Sequence, residues 1–468
     1  MAESSGAETY GILLLICSLA CLGTWPALLR LCSLHDLPKS RTIPFGLCWP
    51  EFLERCCTST SFPFHPPTEQ PQHYRNICHV YLDYSTAYFF VSCLPFAAAI
   101  LTGNEPSLTA KVPMPLIATA MIGGGLLSCG NLSLQWATAV FGAPLTTVLS
   151  IQASMTVILG TSLNYVLEPS MTHQPGLLLG GVVVFLAAIA LATRAQILYA
   201  RLKEVQQQEQ YHSATNHVAA AEIEILQYGS TTTERASVRE VVADRSSNYA
   251  PHSNDNHYNH LKADGTQTMA VPDLFQPTFT TSAEAAANKA LQGVYVAFAG
   301  GLCFGFFSPA FNIAVNDPFH WTLGQMELMT VARANLWFSF AFWAAAVAGN
   351  TVLLQQEQRH TDSSSSSTVA AIWLDYLRRD SLSDRQLALA AGIVCALGNV
   401  LQFQGGQRVG YAAADLVQAY PLVSTVWDVL LFGEFQSVRI PASLGFLLSG
   451  MYLAYLLGVI LLAGSSIE

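Results

Sequence analysis

Long apolar runs separated by short polar connections dominate the chain, and the runs lack the broad charged face that a surface helix of a soluble domain carries. A helix needs about 20 mainly apolar residues to cross the hydrocarbon of a bilayer. Runs of about that length fall near 11–31, 84–101, 113–135, 143–165 and 176–198, with more near 291–315, 328–353, 387–403, 411–432 and 440–462. The pattern predicts an all-α membrane protein of about ten transmembrane helices, its first run serving as its own targeting signal. Two polar stretches break the rhythm. Residues 200–288 are rich in Gln, Ser, Thr, Asn and His without any hydrophobic period, which predicts a disordered linker. Residues 355–386 hold the serine run Ser363 to Ser367 and then VAAIWLDYLRR, whose amphipathic pattern and basic end predict a helix along the membrane surface.

The halves flanking the linker, 1–199 and 289–468, echo each other. LGTWPAL at 22–28 answers FFSPAF at 306–311, Gly130-Asn131 with Gln135 answers Gly398-Asn399 with Gln402, and Glu168 answers Glu434. Five helices in each half would place the second copy upside down relative to the first. The expected architecture is therefore two inverted five-helix repeats, in which a substrate site lies near the bilayer midplane between the halves. Pro26 and Pro309 are expected to mark matching helix interruptions. Among the shorter connections, Lys111, Arg333 and Arg408 fall on one side, whereas the other carries the great majority of Lys and Arg. Positive residues favour the cytosol, so both termini are expected outside and the linker inside. The plasma membrane is the expected location.

Composition sharpens this. Only 11% of residues are charged against 51% hydrophobic, where soluble domains run near 25% charged. A net charge of −10 with no basic concentration excludes nucleic acid as a partner. Walker A, HExxH and GxSxG patterns are all missing, so neither ATP-driven pumping nor an enzyme is expected, and no cofactor. Cys48, Cys56, Cys57 and Cys78 share a loop with His65, His73 and His79, but their spacing fits no zinc site, and no metal is expected.

The chemistry concentrates in 410–434, GYAAADLVQAYPLVSTVWDVLLFGE, which is apolar enough to span yet carries Asp415, Gln418, Thr425 and Asp428. An ionisable group at bilayer depth costs roughly 2.5–3.5 kcal/mol and so faces a bundle interior or a wet cavity. Asp415 and Asp428 are the candidate proton-coupling residues. Pro421 removes a backbone N–H in mid-span and is expected to kink the helix. Asn131 with Gln135, and Asn399 with Gln402, sit one turn apart on their helices, and each amide offers a donor and an acceptor to a neutral solute rich in amide groups. Gln418, Ser308 and Asn312 are expected to reach the same cavity, with Trp25 and Tyr420 available to stack on a planar ring. The partners implied are a small-molecule substrate, a proton as coupling ion and the lipid bilayer.

At these residues the chain resembles the ureide permease family of the drug/metabolite transporter superfamily. The pieces that carry the resemblance are LGTWPALL (22–29), YLDY (81–84), GGGLLSCGNLSLQWA (123–137), TVILGTSLNYVLE (156–168), GLCFGFFSPAFNIAVND (301–317) and GNVLQFQGGQRVGYAAADLVQAYPLVSTVWDVLLFGEF (398–435). The resemblance implies ten helices, outward termini, a large cytosolic linker, and proton-coupled import of allantoin and oxo-derivatives of nitrogen heterocycles such as uracil and xanthine. Residues about 42–80 look like an insertion relative to that family, and Asp428 stands where its members carry a small neutral residue. A transporter of another metabolite, such as a sugar or nucleotide sugar, and a non-transporting membrane sensor stay open as alternatives.

Overall fold

Helices form where the apolar runs stand. The structure, a computed structural model, describes residues 2–33, 76–103, 112–141, 145–168, 174–191, 194–195, 198, 202, 279–322, 327–361, 369–379, 382–432 and 442–465. Among the described residues every regular element is a helix. In chain order these are α1 (Ala2–Ser33), α2 (Ile77–Leu101), α3 (Met114–Gln135), α4 (Leu145–Thr156), α5 (Ser162–Leu167), α6 (Pro175–Leu191), α7 (Phe279–Asn316), α8 (Val331–Thr361), α9 (Val369–Arg379), α10 (Leu382–Val409), α11 (Tyr411–Ala414), α12 (Tyr420–Phe432) and α13 (Ala442–Gly464). Seven of them, α1, α2, α3, α7, α8, α10 and α13, are long and apolar enough to cross a membrane. The other apolar stretches are helical but shorter or broken. A π turn at Val157–Thr161 joins α4 to α5, and a 3-10 turn at Asp415–Ala419 joins α11 to α12. Most of the linker, most of the 42–80 loop and the serine run lie outside the described residues, whereas 279–288, expected as the end of a disordered linker, are helical and begin α7.

Two proline expectations come out differently. Pro26 and Pro309 lie inside α1 and α7, which continue through them rather than breaking. Neighbouring helices can re-satisfy the carbonyls a proline frees, and near Pro26 the Ser424 hydroxyl donates to the Gly23 carbonyl at 2.9 Å. The real interruption precedes Pro421. Without an N–H there, the Val417 carbonyl is taken by Tyr420 N–H three residues on, and the backbone tightens into the 3-10 turn that holds Asp415.

Close packing rests on small residues, as expected where apolar surroundings leave van der Waals contact as the main attraction. α10 lies against both α1 and α2, and α8 lies against α2 and α3. A Cβ on Gly124 of α3 would sit 1.9 Å from the Phe338 carbonyl oxygen of α8, and one on Gly392 of α10 would sit 2.2 Å from the Tyr84 carbonyl oxygen of α2. Gly130 faces Phe304 in the same way, and Gly398 faces Leu22. Beside these contacts the Phe311 and Phe403 rings stack at 3.6 Å and 5°, with Phe307 and Phe338 packed around them.

The amphipathic segment forms α9 and docks on the end of α2. Ile372 and Tyr376 pack with Cys78, Leu82 and Leu354. The Tyr376 hydroxyl donates to Asp83, Arg385 reaches the same carboxylate at 3.4 Å, and its guanidinium lies 4.5 Å over the Tyr376 ring. Arg385 thus ties α9, α10 and α2 together. Arg385→Ala is expected to cost about 3 kcal/mol, because it takes the cation from a buried carboxylate. A thermal midpoint in detergent unchanged from the parent would contradict that role.

Candidate functional site

A small, partly open cavity of about 30 Å³ lies between helices of both halves. Its walls come from Leu22 and Trp25 of α1, Leu127 and Asn131 of α3, Phe304 and Phe307 of α7, Cys395, Asn399 and Gln402 of α10, and Gln418 and Tyr420 around the broken segment. Ligand pockets have this character: mostly apolar and aromatic walls with a few placed polar groups. The structure brings together six of the residues singled out from the sequence, Trp25, Asn131, Asn399, Gln402, Gln418 and Tyr420. Each is at most 6% exposed.

The amides are held in different ways. Asn131 Nδ2 donates to the Tyr84 hydroxyl at 2.9 Å, and that hydroxyl donates to Cys395 Sγ at 2.9 Å. Asn399 Nδ2 donates to the Cys395 carbonyl at 3.2 Å. Gln402 is 1% exposed, yet neither its amide oxygen nor its nitrogen has a partner. A buried amide left so is costly, about 1–3 kcal/mol for each unsatisfied group. Trp25 packs on Tyr84 with ring centroids 5.4 Å apart, behind the same wall.

Gln135, Ser308, Asn312 and Asp415 are buried as well but do not line this cavity. Gln135 ends α3 with its amide unpartnered. The other three meet at Asn164, next to the cavity wall along α7. Asn164 Nδ2 donates to Ser308 Oγ at 3.0 Å and to Asp415 Oδ2 at 3.2 Å, and its Oδ1 accepts from Asn312 at 3.1 Å. Asn316 donates to Asn312 at 2.8 Å and accepts from the exposed Gln407 at 3.4 Å. A row of amides thus runs from the fully buried carboxylate to the surface. Asp415 Oδ1 has no partner, and among the described residues no cation pairs with it. Gly160, in the π turn, makes room for this carboxylate: a Cβ there would lie 3.1 Å from Oδ2. The side chain of Asp428 lies outside the described residues.

Asp317, just beyond α7, has a structural task. At φ 43° it turns the chain, and its carboxylate accepts from Trp321 N and Thr322 N, both at 2.8 Å, and from the Thr322 hydroxyl at 2.7 Å. Burial would raise its pKa, but these donors and nearby His320 outweigh it and hold the carboxyl below its ordinary value.

Tyr84, Cys395 and Asn164 escaped the sequence reading. Asn164 had the clearest signal, a carboxamide inside an apolar run. Tyr84 reads there as one more aromatic, and Cys395 as a small apolar residue. Among the described residues no cluster of His, Cys, Asp and Glu is placed to hold a metal ion.

Comparison with known proteins fits this arrangement. The family model described as ureide permease matches residues 80–465. Ureide permease 5 of Arabidopsis thaliana is 30% identical, over 100% of this chain and 96% of its own length. Ureide permease 2 of the same plant is 29% identical, over 76% of this chain and 82% of its own. The probable ureide permease A3 of Vigna unguiculata is 30% identical, over 76% of this chain and 88% of its own. The match takes in every helix that lines the cavity except α1, and Ureide permease 5 aligns across that one too, so the chain belongs to the ureide permease family.

Proposed function

We propose that this protein imports ureides and oxo-derivatives of nitrogen heterocycles, of the allantoin, uracil and xanthine class, in symport with protons. The observation that carries the reading is the unpartnered Gln402 amide in the cavity wall, with its flanking asparagines. A flat ring bearing alternating N–H and C=O groups pairs with such amides edge to edge, while Trp25, Phe304 and Tyr420 cover its faces. Among the described residues no Lys or Arg stands in the wall, which disfavours phosphorylated or nucleotide-linked solutes.

The ten-helix, inverted-repeat architecture belongs to the same proposal, with halves 1–199 and 289–468 joined by a cytosolic linker at 200–288. Packing supports it. Gly124 stands seven residues before Asn131, and Gly392 seven before Asn399. The first meets the backbone of the second helix of the other half, and so does the second in return. Placing both termini outside the plasma membrane puts Gln407 and Asn316 on the outer rim, so the amide row leads from the buried Asp415 toward the outer side. Asp415 is then the coupling carboxylate, with Asp428 a second candidate nearer the inner end.

The test is uptake of radiolabelled allantoin, uracil, xanthine and glucose in a transport-deficient host at two external pH values. Accumulation of one or more of the heterocycles, larger at the more acid pH, is expected. Uptake of glucose alone, or of none of the four, would overturn the proposal.

A further inference from the structure

The wall of the cavity has a polarity, and one residue outside the lining sets it. Tyr84 is fully buried, and its hydroxyl has two tasks at once: it accepts from Asn131 Nδ2 and donates to Cys395 Sγ, each at 2.9 Å. Because its single proton is spent on sulfur, it meets Asn131 only as an acceptor, which fixes the nitrogen edge of that amide toward α2. The oxygen edge is left for the cavity. Across the cavity, the Cys395 carbonyl takes Asn399 Nδ2 at 3.2 Å and fixes that amide likewise. Cys395 therefore orients both asparagines, one directly and one through Tyr84.

We propose that Tyr84 is a specificity-determining, positioning residue: through Asn131 it makes the binding wall acceptor-rich, so that the site selects solutes offering at least two unsubstituted N–H groups. This rests on the transport reading above. Gln402, free at both amide atoms, then pairs with the neighbouring C=O and N–H of the same ring. A solute methylated on nitrogen would fill the space but leave amide oxygens unpaired. Sites built to hydrogen-bond a polar group reject analogues that lack it far more strongly than apolar pockets reject an extra methyl.

The experiment is competition against labelled allantoin uptake by hydantoin, 1-methylhydantoin and 1,3-dimethylhydantoin, in cells carrying the full chain. In the parent protein hydantoin is expected to compete at least about tenfold better than the dimethyl compound, with the monomethyl compound between them. Tyr84→Phe frees the Asn131 amide to turn over, so the ratio is expected to shrink to about threefold or less, with a raised half-saturation concentration and a largely kept maximal rate. Cys395→Ala leaves the ring in place but releases the Tyr84 proton, which can then go to Asn131 Oδ1 and turn the nitrogen edge inward. The same loss of discrimination is expected from it. Equal competition by all three compounds in the parent protein overturns the inference even if neither variant reaches the membrane. An undiminished ratio in either expressed variant overturns it too, since a purely structural tyrosine would lower the amount of protein and not its selectivity. Allantoin uptake absent from the parent protein removes the transport reading, and this inference with it, whereas uptake without discrimination removes the inference alone.

Discussion

Asp415→Asn is expected to abolish the stimulation of uptake by external acid while raising the thermal midpoint of the purified protein. The carboxylate is fully buried, takes one hydrogen bond from Asn164 at 3.2 Å and leaves Oδ1 unpartnered. Its amide isostere fits the same space, carries no charge to desolvate, and offers Nδ2 to the Thr161 hydroxyl, which is also without a partner. A gain of about 1 kcal/mol follows from removing an unpaired buried group. Function moves the other way, because an amide cannot take up and release a proton. Uptake through the variant should be equal at both pH values, and any that persists should run only down its own gradient. Acid-stimulated accumulation at the parent level would show that coupling lies elsewhere, with Asp428 the next residue to replace.

The second large effect is on folding. Gly124→Val and Gly392→Val each set a branched side chain where a single Cβ would already lie 1.9 or 2.2 Å from a carbonyl oxygen of the neighbouring helix. Those atoms are backbone and cannot rotate aside, so the helices must separate along their contact. Overpacking of this kind costs about 3 kcal/mol or more, and either variant is expected to yield little monodisperse protein by size-exclusion chromatography. Gly125 is the control. A Cβ there meets nothing within 4 Å, so Gly125→Ala should leave the yield unchanged or improve it, as a helical glycine replaced by alanine gains up to about 1 kcal/mol. Equal yields from all three variants would refute the tight contacts.

Much of the helical frame is legible in the sequence because hydrophobicity and length alone determine what can enter a bilayer. The amide pairs are legible for the same reason, since Asn131, Asn399 and Gln402 are conspicuous where almost everything around them is apolar. What escapes is the division of labour. Asp415 and Gln418 read as neighbouring polar residues of one span facing one cavity, yet Gln418 lines the cavity while Asp415 joins Asn164 beside it. That separation depends on helices distant in sequence, α5 and α7, closing around the carboxylate. Ser308 and Asn312 illustrate the same limit: their helix face is predictable, but their partner Asn164 comes from the other half of the chain. Pro26 and Pro309 mislead because a proline reports a missing N–H and not whether the neighbours repair it. Tyr84 and Cys395 are missed because an apolar environment makes their hydroxyl and thiol look like filler.

The row of Asn164, Asn312 and Asn316 has one more implication. Carboxamides hold hydrogen bonds but do not ionise near neutrality, so this row cannot pass a proton along by itself. Relay would fall to water molecules threaded beside it whenever the rim opens, and would cease when the side chains close up as they stand here. Leakage of current would then be prevented by dehydration of the route.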